Sequence, residues 1–287
     1  MRSLKTAVAA VAVLGLLVAA VPGAYAGAIH DAGLFTTVLN RNDDGSVGPV
    51  SIGFGINFFG LNSGNQTTLF VNNNGNVTFN SALSEFTPFP LLTTNVPMIA
   101  PFFADVDTRA AGSDVVRYGQ ATINGHSVFG VNWINVGYFF ERDEHLNSLQ
   151  LIITDRSDTG AGNFDFEFNY DAITWETGEA SGGDENGLGG DSARAGWSNG
   201  TNKSFELAGS AINGALLDTN CLVGGATGLT CHSLNSNILG QYIFSVRNGA
   251  VIPPDGSTGV PAPGTLVLLG MGLLGVGTIA LLRRRAK

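Results

Sequence analysis

Residues 163–170 read NFDFEFNY, with Phe164, Phe166, Phe168 and Tyr170 on one side of the chain and Asp165, Glu167 and Asn169 on the other. A period of two is the signature of an extended chain with one buried face, because successive side chains of a strand point to opposite sides. A helix would scatter the same aromatics around its circumference. The pattern recurs. Leu149, Leu151 and Ile153 alternate in SLQLIITD, which joins the first stretch through the glycine-bearing turn 158–162. TLFVNNNGNVTF (68–79) has apolar residues on both sides of Asn74-Gly75, a strong hairpin signal. Further apolar runs lie at 49–59, 128–136 and 242–246. Helical periodicity is confined to the two ends. Many short strands at turn-marked intervals predict an all-β fold, a β-sandwich of short antiparallel strands.

The ends predict where this sandwich resides. Arg2 and Lys5 precede an apolar run at 7–20, a Pro22-Gly23 break and Ala24-Tyr25-Ala26. Residues 1–26 therefore read as a secretory signal peptide, cut between Ala26 and Gly27. Residues 265–282 are uncharged and as a helix would reach ~27 Å, close to a ~30 Å hydrocarbon core. Gly270, Gly272, Gly275 and Gly277 suit a transmembrane helix better than a soluble one. The basic tail 283–287 follows, with Arg283, Arg284, Arg285 and Lys287 expected to stay cytoplasmic. Residues 27–252 form the expected exported domain, and 253–264 a stiff Pro/Gly linker.

Within that linker Val260, Pro261, Ala262, Pro263 and Gly264 spell VPAPG. This motif, a short apolar helix and an arginine cluster together resemble the PEP-CTERM sorting signal of bacterial envelope proteins. The resemblance implies an exosortase-type membrane protease as partner, cutting near Pro263, with a membrane-anchored intermediate and release to the envelope, cell surface or exterior. Ala262 stands where that signal usually carries Glu.

Charge excludes some partners. All 23 acids lie between the two terminal segments, against eight of the 14 bases, so the part between the ends carries −15. Nucleic acid and anionic lipid are poor partners for such a surface. The two cysteines, Cys221 and Cys231, are expected to close one small disulfide loop in an exported chain.

GFGINFFG (53–60), TTLFVNNNGNVTFNSALSEFTPFP (67–90), PMIAPFFADVDTR (97–109), VNWINVGYF (131–139), NSLQLIITD (147–155), FEFNYDAITWETG (166–178) and ARAGWSNG (193–200) follow one another in the order seen in nidogen-like (NIDO) domains. The resemblance covers roughly residues 47–208. Phe103 occupies a position that is usually Trp. The resemblance implies an extracellular matrix or cell-surface protein, cell–matrix adhesion and no enzymatic activity; a biofilm or envelope role is the accompanying expectation, with a matrix protein or glycan as partner.

Three readings stay open for Asp105 and Asp107. If residues 103–109 are extended, the two carboxylates share a face with Arg109, ~7 Å apart. A structural pairing with Arg109 or Arg117 leads. A calcium site or a partner contact comes next, the former because oxygen ligands suit that hard cation. Catalysis, as in a secreted polysaccharide hydrolase, comes last, because two acids on one strand have no reason to diverge in pKa. Gly196-Trp197-Ser198-Asn199-Gly200 matches GxSxG, but no helix opening follows it. Residues 40–45, NRNDDG, resemble the front half of a calcium loop and are read as a turn, with weak calcium affinity as the minor option. Residues 178–191, acidic and glycine-rich, are expected to be a solvated loop. The expectation is a non-catalytic protein without a cofactor, calcium apart.

Overall fold

A computed structural model describes residues 27–252, apart from Thr94 and residues 222–224. The signal peptide, the VPAPG linker, the 265–282 segment and the basic tail lie outside the described residues. Among the described residues no helix is long and apolar enough to cross a membrane.

Among the described residues, fourteen strands form two sheets. The first seven are β1 (Thr37–Val38), β2 (Ser46–Ile56), β3 (Gln66–Asn72), β4 (Asn76–Thr78), β5 (Pro97–Phe103), β6 (Val106–Asp107) and β7 (Arg117–Ile123). Then come β8 (His126–Tyr138), β9 (Arg142–Asp155), β10 (Phe164–Ala172), β11 (Arg194–Asn199), β12 (Ser204–Glu206), β13 (Gln241–Arg247) and β14 (Ala250–Val251). One sheet runs β1-β7-β8-β9-β10-β13-β14, with β6 pairing β8; the other runs β12-β11-β5-β4-β3-β2. Every ladder between these strands is antiparallel.

The core lies between the sheets. Phe164, Phe166, Phe168 and Tyr170 are all buried, against Leu69, Val71, Val77 and Ile99 of the facing sheet. Each such side chain contributes about 2 kcal/mol on leaving water. Ring contacts cross the interface: Phe58 meets Phe164 edge-on at 6.2 Å, and Phe205 meets Phe244 at 5.6 Å. The polar side of β10 departs from simple alternation. Asn132, Gln150 and Asn169 form a buried hydrogen-bonded stripe across β8, β9 and β10. The N-terminal strap covers it, with His30 N–H donating to Gln150 and Asn132 donating to the Ala32 carbonyl.

Two local expectations are corrected. The 68–79 hairpin does not turn on Asn74-Gly75 alone. Asn72 pairs with Asn76, so the loop holds Asn73, Asn74 and Gly75, the last at φ +69°. A left-handed glycine ending a three-residue loop matches strand twist as well as a two-residue turn does. Nor is 103–109 one strand. β5 ends at Phe103, the chain breaks at Ala104-Asp105, and β6 joins the other sheet. The chain changes sheets at Ala104-Asp105, just ahead of Asp107.

Cys221 and Cys231 are joined by a disulfide, with Cα atoms 5.7 Å apart. The 178–191 loop is built rather than loose: Asp184 accepts the Asn186 and Leu188 amides, and Tyr138 donates its hydroxyl to the Glu185 carbonyl.

Candidate functional site

Three segments meet where the chain changes sheets. Residues 40–45 lead into β2, residues 73–75 cap the β3–β4 hairpin, and residues 104–109 leave β5. Backbone and side-chain bonds stitch them together. Thr108 exchanges three hydrogen bonds with Asn42, and the Asn73 amide N–H donates to the Gly45 carbonyl at 2.9 Å. Arg41 donates to the carbonyls of Thr108, Ala110 and Ser113 at 2.6, 2.6 and 2.7 Å. Trp133 reaches from the other sheet to the Asn73 carbonyl, at 2.9 Å. The asparagine-rich turn is thus a connector whose side chains replace backbone partners that a sheet would otherwise supply.

The two aspartates have different fates. Asp107 is fully buried, and both its oxygens are engaged. Oδ1 accepts from the Arg109 backbone and Nε at 2.9 Å each; Oδ2 accepts from Arg109 Nη2 at 2.6 Å and Glu141 N–H at 2.9 Å. Arg109 lies 5.9 Å from the Phe139 ring centre and also 3.2 Å from Asp43. Asp105, 1% exposed, instead faces Asp43 and Asp44 of the incoming turn. One carboxylate oxygen from each of these three lies within 4.8 Å of the others. Burial pushes the Asp105 carboxyl up to about 8, and the charges of Asp43, Asp44 and Asp107 add to that. Burial likewise raises Asp43 to about 6, with Asp107 and Asp44 contributing.

Asp43 and Asp44 as partners of Asp105 are invisible to local pattern. About 60 residues separate them, and only the sheet change brings them together. Glu176, within YDAITWETG, carries no local signal either. Its buried carboxylate accepts the Gly214 and Leu216 amides at 2.6 Å each, and burial raises it to about 7. It anchors the 214–216 loop.

Other sequence candidates take structural places. Ser198 of GWSNG sits inside β11, 1% exposed, with its hydroxyl accepting the Gly200 amide. Asp171 and Asp218 line a cavity of about 450 Å³, yet Asp218 spends both oxygens on the Ile173 amide and the Thr230 hydroxyl. A second cavity, about 470 Å³, is lined by Phe205, Leu207, Leu229 and Tyr242 and by no acid.

Residues 67–248 match the family model described as nidogen-like domain. The match runs past the resembling motifs to include β13, which pairs with β10 in the larger sheet. Human alpha-tectorin (Homo sapiens) is 31% identical over 246 residues, 77% of this chain and 10% of that protein. Mouse alpha-tectorin (Mus musculus) is 32% identical over 240 residues, 75% of the chain and 10% of the relative. Nidogen from Drosophila melanogaster is 30% identical over 139 residues, 40% and 10% respectively. The chain spans about a tenth of the length of these curated relatives. No solved structure matches it.

Proposed function

The chain belongs to the nidogen-like domain family, and from that membership we propose a non-catalytic role outside the cell, in the matrix or at the cell surface. One observation carries the reading: the family match coincides with a two-sheet sandwich whose buried Glu176 and Asp107 are spent on holding a loop and the sheet-change corner. Contact with a matrix protein or glycan would use loops at an end of the sandwich, and many copies at one surface would add avidity. The leader, the VPAPG linker, the apolar segment and the arginine cluster support export, a membrane-held intermediate and release by an exosortase-type protease. Polysaccharide hydrolysis finds no such support. Asp105, the inner member of the acid cluster that converges among the described residues, is 1% exposed, which does not suit an acid that must reach a glycosidic oxygen.

The experiment is binding of the purified full chain to arrays of matrix proteins and glycans. Selective binding supports adhesion, and consistent blanks assign a purely structural place in the matrix. Release of reducing sugar ends from an arrayed polysaccharide would overturn the non-catalytic reading.

A further inference from the structure

The sheet-change corner holds more acceptors than the chain can satisfy. Asp43 Oδ1, Asn73 Oδ1 and Asp105 Oδ2 are buried atoms without a hydrogen-bond partner. Burying an acceptor unpaired is costly, so such atoms mark a missing donor or cation. Reversing the Asn73 amide gives no relief. Its nitrogen already donates to the carbonyls of Asp43 and Val106, and the reversed group would set oxygen against both. Charge points the same way. Arg109 is committed to Asp107 and touches only Asp43, and among the described residues neither Asp44 nor Asp105 has an ion pair. A single proton would satisfy one oxygen and leave the others.

We propose that Asp43, Asp44 and Asp105 form a calcium site at the corner where the chain passes from one sheet to the other, with the unpartnered oxygen of Asn73, whose amide nitrogen holds the Asp43 carbonyl, as a further ligand. The donor set is all oxygen, which selects a hard cation over zinc or copper. Three carboxylates from two separate segments, half-exposed at Asp43 and Asp44, suit an ion that accepts irregular geometry and keeps waters. Magnesium demands a near-ideal octahedron. Asp107 is not a ligand, because Arg109 and Glu141 N–H hold both its oxygens. The ion would tie the turn before β2 to the β5–β6 crossing and so clamp one end of the sandwich.

The test is calorimetric titration of calcium chloride into the chelator-treated full chain, with its melting midpoint followed in parallel. One saturable site is expected, with a dissociation constant on the order of 0.1–1 mM, the range of extracellular modules. The midpoint should rise with calcium. Asp105→Asn, which keeps the shape and removes a charge, should weaken binding at least tenfold. Asp191→Asn, an exposed acid outside the cluster, should leave binding unchanged. Should Asp105→Asn fail to fold, Asp44→Asn carries the same expectation from a half-exposed position. No saturable heat with an unmoved midpoint up to about 10 mM calcium overturns the site. So does wild-type affinity in the foldable cluster variant, or equal saturation by magnesium.

Discussion

A chain carrying Gly75→Ala is expected to lose roughly 3–4 kcal/mol of stability, read as a drop in the urea midpoint at unchanged slope. Gly75 closes the asparagine hairpin at φ +69°, where a side chain costs ~1 kcal/mol or more. Its back lies on β5. A Cβ there would stand 1.8 Å from the Phe102 carbonyl oxygen and 2.7 Å from the carbonyl carbon. Backbone on both sides leaves nothing flexible to yield, so the hairpin must lift from β5. Lifting it stretches the Phe102 N–H···Gly75 carbonyl bond, now 3.1 Å, and disturbs Asn74, whose Oδ1 accepts the Val106 amide. Overpacking of this kind adds ~1–3 kcal/mol. Gly60 supplies the control. It shares the left-handed conformation, at φ +79°, but a Cβ there meets nothing within 4 Å. Gly60→Ala should cost only ~1 kcal/mol. Equal losses at the two positions would contradict the packing assigned to the hairpin tip.

Arg109→Ala should cost about 2–4 kcal/mol, nearly as much, for an electrostatic reason. It would strip three side-chain and ion contacts from the corner and leave Asp107 a buried carboxylate held only by two backbone amides. Breaking a fully buried pair costs ~3–5 kcal/mol. The guanidinium is 37% exposed, so water recovers part of that and the lower figure applies. The double-mutant cycle is the sharper reading. Asp107→Ala together with Arg109→Ala should cost clearly less than the two single losses summed, because the second change removes the charge that the first orphans. Strict additivity would mean that the pair does not act as a unit.

How legible this was in the sequence depends on the range of the interaction. The β10 stretch could be read directly, since alternation is local and its four aromatics are buried as the period requires. β9, the 68–79 hairpin and the glycine turn before β10 follow from the same short-range rules. What lay outside local pattern is what crosses the molecule. Asn169 and Gln150 look like solvent-facing polar residues, yet the strap at 27–36 buries them. The stretch APFFADVDTR looks like one strand with two like aspartates. The break at Ala104-Asp105 separates them, giving one to Arg109 and the other to a turn some 60 residues earlier. NRNDDG carries two of the three clustered carboxylates and ADVDTR the third, and only the topology could join them.

The most direct test of an exported, matrix-facing sandwich is mass mapping of the chain recovered from fractionated cells, under reducing and non-reducing conditions. A polypeptide in the envelope or medium that starts at Gly27, with Cys221 linked to Cys231, is expected. A cytosolic chain that keeps residues 1–26 and carries two free thiols would contradict it.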